Sequence, residues 1–462
     1  MRYINERKIE DLLAAAAKVD GAKIEAILEK SRALKRLTLE ESAALLTVEE
    51  PRDLEKIFTA ASWVKDKIYG KRIVLFAPLY ISNLCVNGCL YCAFKRDNPL
   101  IQRKTLTLAE ISEQVEWLLK RGHKRILLVA AELASSCQAI DYYVEAIKTI
   151  YRTRFGPHYI RRVNINCAPL SVEGFKRLKA AGIGTYQLFQ ETYHEKTYRD
   201  VHPAGPKSDP DNRLEAIDRA FSAGIDDVGI GVLYGLYDYK FETLALLMHI
   251  EHLEERFGVG PHTISVPRIE PALGAELSQN IPYPVSDLDF KKIVAVLRLS
   301  VPYTGMILST RERPALRDEL VNLGISQISA ESRTSPGGYT ENNSQNLEEA
   351  QFSLSDQRNL EEIIAALLDK GLIPSFCAAC YRKERTGETF MNLAKPGLIK
   401  EKCSVNALIT LKEYLDDFAS SKVKESGYRL IDEIRPTLSP QDQQILKNYF
   451  ASIDQGARDK YI

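Results

Sequence analysis

The chain has 462 residues, 45% of them hydrophobic, and balances 62 Lys+Arg against 62 Asp+Glu. That length supports one large domain with a smaller one beside it, and the zero net charge excludes a broad electrostatic pull toward nucleic acid or an anionic membrane. No apolar run reaches about 18 residues, so a membrane-spanning helix is excluded; the charged start MRYINERKIEDLL does not read as a secretory signal, and eight cysteines are too sparse for a disulfide scaffold. A cytoplasmic, reducing environment follows, with the cysteines held reduced or on metal.

Residues 1–70 carry helical periodicity only, as in Ile9, Leu12, Leu13, Ala16 and again in Ile24, Ile27, Leu28. Thr38 and Glu41 form a capping box that opens a further helix. This N-terminal extension reads as a helical layer packed on something larger. From residue 71 the pattern alternates. Strands are expected at 72–77, 125–130, 162–166, 184–189, 227–233, 262–266, 303–308 and 324–329. Helices follow near 107–121, 140–153, 171–181, 211–223, 240–256, 286–299, 312–322 and 356–370. Eight strand–helix units over 71–373 predict an α/β fold, a (β/α)8 TIM barrel; a doubly wound open sheet is the competing arrangement. The long connections 78–106 and 331–355 follow strands 1 and 8 and belong at the C-terminal mouth, where barrels build active sites. From 374 to 462 the alternation stops, predicting a separate, mainly helical C-terminal domain.

Cys85, Cys89 and Cys92 lie in the first long connection as C-x3-C-x2-C. On an irregular loop, three thiolates can surround one inorganic centre, either iron–sulfur or zinc. Three ligands on a four-iron cube leave one iron open to a small molecule. This spacing, with Tyr91 before the last cysteine, resembles the radical S-adenosylmethionine (SAM) superfamily. The resemblance implies a [4Fe-4S] cluster that binds SAM and cleaves it reductively to a 5′-deoxyadenosyl radical. It also implies SAM contacts from Tyr91, from Glu132 after strand 2, from Gln190 and Glu191 at the end of strand 4, and from Arg213. Ala131 stands where many members have glycine.

Cys377, Cys380 and Cys403 form a second triad, C-x2-C-x22-C, in the C-terminal segment. A zinc site would want a fourth ligand, a redox dithiol would want a helix start behind a strand, and a second cluster needs only these three. The arrangement is similar to that of the HydG family of tyrosine lyases that mature [FeFe]-hydrogenase. FQETYHEKTY, GIGVLYGLYDY, GPHTISVPR, STRE and GISQISA are similar as well, with departures at Ala93 and Glu331, where glycine is common. The family resemblance implies an auxiliary [4Fe-4S] cluster that can carry an extra iron ligated by His262. Barrel geometry separately puts Cys377 and His262 at the base and the first triad at the mouth, roughly 20–25 Å apart for a strand of about seven residues. His249 and His252, one helical turn apart, read as a solvated helix face rather than a metal pair. Cys137 and Cys167 read as small core residues.

The resemblance further implies hydrogen abstraction from the amino group of L-tyrosine, Cα–Cβ cleavage to p-cresol and dehydroglycine, and formation of CO and cyanide at the second cluster. The substrate carboxylate needs a cation, and Arg311 and Arg333 follow strands 7 and 8, with Ser309 and Thr310 able to add hydrogen bonds. A tunnel through the barrel would carry the intermediate. Implied partners are an electron donor such as a ferredoxin or flavodoxin and other hydrogenase maturation proteins, with neither nucleic acid nor membrane. The competing functions are a ThiH-like lyase that releases dehydroglycine for thiamine synthesis, which lacks the second triad, and a non-enzymatic iron–sulfur carrier.

Overall fold

The structure, a computed structural model, describes residues 1–16, 20–134, 136–340 and 348–462. Residues 341–347 of the expected mouth connection 331–355 lie outside them. Short apolar runs form β1 Arg72–Ser82, β2 Arg125–Ala130, β3 Arg162–Asn166, β4 Tyr186–Glu191, β5 Val228–Val232, β6 Thr263–Ser265, β7 Gly305–Leu308 and β8 Gln327–Ser329. They pair in parallel in chain order, and β1 bonds to both β8 and β2, so the sheet closes into an eight-stranded barrel rather than an open sheet. β1 runs five residues beyond the expected end at 77, because LYIS continues the buried apolar pattern to Ser82. Thr107 and Glu110 form a complete capping box on the helix Leu108–Lys120.

A ninth strand was not foreseen. β9, Ile373–Ser375, pairs with Arg72–Val74 at the base of β1. Three residues with a central proline carry no strand pattern, and proline is tolerated there because a sheet edge does not need its missing N–H. The boundary expected at residue 374 therefore falls inside a strand. The helix Ile399–Asp417 packs on β9, and Ile399, Leu408 and Leu411 belong to one apolar core with the barrel's Ile73, Leu75 and Ile126. The C-terminal helices thus close the barrel's base and do not stand apart as an appendage. At the other flank, the N-terminal helix Pro51–Tyr69 packs along the helix Asp287–Ser300.

Barrel interiors are usually filled by bulky branched side chains; here Phe76, Leu127, Val129 and Ile307 line the cavity, but one layer is small or polar. A Cβ on Gly229 would lie 2.5 Å from Thr263 Oγ1 and 2.9 Å from Gln187 Cγ. Thr263 Oγ1 and Gln187 Oε1 are themselves buried without a hydrogen-bond partner.

Arg298 shows how the outer layer is tied down. Fully buried, it donates to the carbonyls of Pro302 (2.7 Å), Thr304 (2.8 Å) and Gly324 (2.8 Å from Nη2). Replacing it by methionine strands three buried acceptors. Arg298→Met is expected to lose at least about 3 kcal/mol in urea unfolding.

Candidate active site and a second thiol triad

The loop after β1 carries Cys85, Cys89 and Cys92 into the wall of one cavity of about 220 Å³ at the C-terminal end of the strands. Cys89 is buried and the other two are half-buried. Burial pushes the Cys92 thiol up to about 12, with Cys89 and Cys85 adding to it. Ligation by these thiols therefore has to release protons. Three convergent soft donors suit iron–sulfur chemistry, and two side-chain amides already point at them. Asn87 Nδ2 donates to Cys85 Sγ (3.7 Å) and Gln351 Nε2 to Cys92 Sγ (3.7 Å).

Asn87 also donates to Glu132 Oε2 (2.7 Å) and accepts from the Lys207 backbone N–H (2.9 Å). Gly205, at φ +91°, lets the neighbouring loop lie against it, since a Cβ there would sit 2.5 Å from Asn87 Oδ1. Glu191 occupies the left-handed region at φ +73° beside a register shift in the β4–β5 pairing. That strain turns its carboxylate into the cavity, where it accepts from Lys207 Nζ (2.7 Å) and Arg213 Nη2 (3.3 Å). Burial alone would raise its carboxyl, but Lys207 and Arg213 outweigh burial and hold it below the usual range. Tyr91 lines the same cavity, and its hydroxyl bonds to His202 Nε2 at 2.8 Å.

Ser309, Thr310 and Arg311 line the same cavity. The Arg311 guanidinium lies 3.4 Å from the Phe352 ring centroid, stacked on a face as a cation–π pair. Glu270, missed in the sequence, lines the cavity near it. Burial pushes its carboxyl up to about 7, Glu312 adds, and Arg311 and Arg268 oppose.

Two expected residues are not brought to this cavity. Gln190 donates instead to the Pro210 carbonyl (3.1 Å), because neighbouring positions on a strand face opposite ways. Arg333 is half-buried and donates to the carbonyl of Ser332 (3.1 Å), while Ser332 and Thr334 on either side line the cavity. His249 is buried, not solvated, and bonds to the Tyr193 hydroxyl, whereas His252 pairs with Asp218 at 2.8 Å. Cys167 is buried as expected, but Cys137 is exposed near the start of the helix Ser136–Arg152.

At the base, Cys377 follows β9, Cys380 sits in the short helix Ala379–Arg382, and Cys403 lies near the start of the helix Ile399–Asp417. Burial pushes Cys380 up to about 12, with the nearby Cys403 and Cys377 adding. Arg72, half-buried at the first residue of β1, lies near enough to all three for their charges to act on its guanidinium. Arg125, at the first residue of β2, donates to the Cys377 carbonyl. His262 precedes β6 and packs on the Phe390 ring (4.2 Å between centroids) and on Tyr381 (6.2 Å), the residue after Cys380. Burial lowers the pKa of its imidazole; Asp227 opposes, and Arg125, Arg72 and Arg162 add. The Nε atoms of Arg72, Arg125 and Arg162, both Asp227 oxygens and His262 Nδ1 are buried without hydrogen-bond partners, a polar surround that suits a charged occupant. Among the described residues, no group of three or more His, Cys, Asp or Glu side chains is arranged around a single metal ion.

Comparison with known proteins agrees with this geometry. Residues 79–249 match the radical SAM superfamily model, and residues 265–373 match the biotin and thiamin synthesis associated domain. A 2-iminoacetate synthase of Salmonella typhimurium is 34% identical over 358 residues, covering 77% of this chain and 90% of the relative. A crystal structure of HydG, a maturase of the [FeFe]-hydrogenase, superposes with a TM-score of 0.96 at 50% identity, covering all of both chains. The HydG of Carboxydothermus hydrogenoformans superposes with a TM-score of 0.83 at 40% identity, covering 96% of this chain and 97% of that one. Barrel, cysteine loop and cavity thus define a radical SAM enzyme, a carbon–carbon lyase that uses SAM and a [4Fe-4S] cluster. Within that superfamily, the chain belongs to the HydG family of radical SAM maturases. No helix among the described residues is long and apolar enough to cross a membrane.

Beneath the strained Glu191, Glu242 is fully buried and accepts from the Thr192 hydroxyl and the Tyr193 N–H (2.8 Å). Burial pushes its carboxyl from 4.5 up to about 8, against the opposing hydrogen bonds of Thr192 and Tyr193. The folded state therefore binds this proton more tightly than the unfolded chain. Its stabilisation is complete below the unfolded pKa and is lost as pH rises through the folded one. Glu242→Gln is expected to flatten the decline in thermal stability between about pH 5 and 8, read from melting curves across that range.

Proposed function

We propose that this enzyme cleaves the Cα–Cβ bond of L-tyrosine to p-cresol and dehydroglycine, and that CO and cyanide then form at the base of the barrel for [FeFe]-hydrogenase assembly. The observation that carries this reading is the presence of two thiol triads at opposite ends of one barrel, one after the C-terminal end of β1 and one against Arg72 at its first residue. When bound, the mouth cluster with SAM supplies a 5′-deoxyadenosyl radical, and the basal cluster supplies iron to receive CO and cyanide.

The protein's own residues have separable tasks in this scheme. Cys85, Cys89 and Cys92 hold the mouth cluster, and Tyr91, Glu132, Glu191 and Arg213 hold SAM beside it. Arg311, held flat by Phe352, takes the tyrosine carboxylate, while Ser309 and Thr310 add hydrogen bonds. The enclosing walls exclude water from the radical step. Cys377, Cys380 and Cys403 hold the basal cluster, and His262 is the ligand for an extra iron. The scheme needs a path between the two sites, and the layer of Gly229, Thr263 and Gln187 is closely packed, since a Cβ on Gly229 would lie 2.5 Å from Thr263 Oγ1, so transfer through it requires these side chains to move. The scheme needs an external electron donor such as a ferredoxin or flavodoxin, and maturation partners to receive the product.

The similarity to 2-iminoacetate synthases favours a second reading in which dehydroglycine is released and no CO is made. Iron content separates the two, since a single four-iron cluster gives about four irons per chain and a pair gives about eight or more. Anaerobic incubation with SAM, dithionite and tyrosine is expected to yield p-cresol, cyanide and CO together. Exchanging Cys377, Cys380 and Cys403 for alanine is expected to spare p-cresol and abolish CO, whereas loss of both would assign the triad a structural role. Arg311→Met is expected to raise the KM for tyrosine by at least about tenfold, the scale of one lost charge-assisted contact.

A further inference from the structure

Gln351 lies 259 residues beyond Cys92 in the chain, on the connection after β8, yet its backbone and side chain are both fixed against the cysteine loop. Its N–H donates to the Thr334 carbonyl (3.0 Å), and its own carbonyl accepts from the N–H of Ala93 (3.4 Å), the residue after Cys92. The side-chain Oε1 accepts from the Tyr80 hydroxyl (2.7 Å) and Nε2 donates to Cys92 Sγ (3.7 Å). The amide orientation follows from chemistry. A ligated thiolate can only accept, so the NH2 must face the sulfur and the oxygen must face Tyr80.

We propose that Gln351 is a tuning residue for the cluster held by Cys85, Cys89 and Cys92, raising its reduction potential through an N–H···S bond to Cys92. Reduction adds negative charge to the cluster and its thiolates, so a donor aimed at one of them stabilises the reduced state more than the oxidised one. Asn87 makes the equivalent bond to Cys85, but it also holds Glu132, so changing it would disturb SAM binding as well. Gln351 bonds neither to Glu132 nor to Glu191, which makes it the cleaner probe. Through Tyr80, which lines the cavity beside Arg311, the donor is also anchored to the wall where substrate sits.

The inference rests on the proposed role of Cys85, Cys89 and Cys92 but not on which bond the enzyme cleaves. The test is a redox titration of the full-length, reconstituted enzyme without tyrosine, following the electron paramagnetic resonance signal that responds to SAM. Gln351→Met keeps a linear side chain and removes the donor. It is expected to lower the reduced-to-oxidised ratio at a fixed potential by about tenfold, or about 59 mV for a one-electron couple, with iron and sulfide unchanged. Gln351→Glu, of the same size but acceptor-only when ionised, is expected to lower it further. An unchanged potential in the methionine variant overturns the proposal. Should that variant lose iron, the glutamate variant decides, and loss of iron from both overturns the proposal by making Gln351 a packing residue. Absence of p-cresol from a wild-type enzyme whose SAM-responsive signal is intact would instead count against the proposed reaction and leave this inference standing.

Discussion

Backbone pairing along β1 is the constraint on which the molecule depends. Its upper half bonds to β2, its middle to β8 and its foot to β9, so one strand closes the barrel and attaches the C-terminal helices. The loop leaving its top carries one thiol triad, and its first residue, the half-buried Arg72, lies within electrostatic reach of the other. The distance between the two sites is therefore fixed by a single hydrogen-bonded strand, whose length cannot change without breaking the pairing on either side. Both sites inherit their rigidity from it.

The two sites share an electrostatic logic. Burial raises Cys89 and Cys92 in one triad and Cys380 and Cys403 in the other, so without metal these four thiols keep their protons and can remain inside a low-dielectric wall. The compensating cations differ. At the mouth, Lys207 and Arg213 are committed to Glu191, leaving neutral amides to face the sulfurs of Cys85 and Cys92. At the base, arginines stand among atoms that lack partners. The base thus gathers unpartnered charged atoms, whereas the mouth cavity leaves only neutral ones such as Gln187 Oε1 and Ser332 Oγ without partners, as expected if the base completes its hydrogen bonding only when occupied.

Much of this was legible in the sequence because it is local. Strand–helix alternation, the capping boxes and the cysteine spacings each lie within a few residues. The readings that failed required knowledge of direction or partner. Glu191 and Gln190 are adjacent, and only the pleat and the bulge decide that one faces the cavity. Arg333 was chosen for its charge, yet Ser332 and Thr334 line the wall. Cys137 was expected inside, but the helix turns it outward. β9 has no periodicity in three residues, and its existence depends on the free foot of β1. Asn87 and Gln351 were missed because an amide acquires meaning only from the sulfur it meets. Glu331 is a partial exception: glycine is common at that position in the resembling family, and here the glutamate adopts φ +51°.

The closure of the base by β9 and the helix Ile399–Asp417 has a consequence for biogenesis. Chains emerge from the ribosome N-terminal end first, so all eight barrel strands leave before the segment that covers their lower apolar surface. The nascent barrel is uncapped until translation has passed residue 417, and Cys403 is among the last parts delivered. The proposed occupant of the foot can therefore be held by all three thiols only after Cys403 has emerged, and a translational stall beyond β8 would leave the barrel's base uncovered.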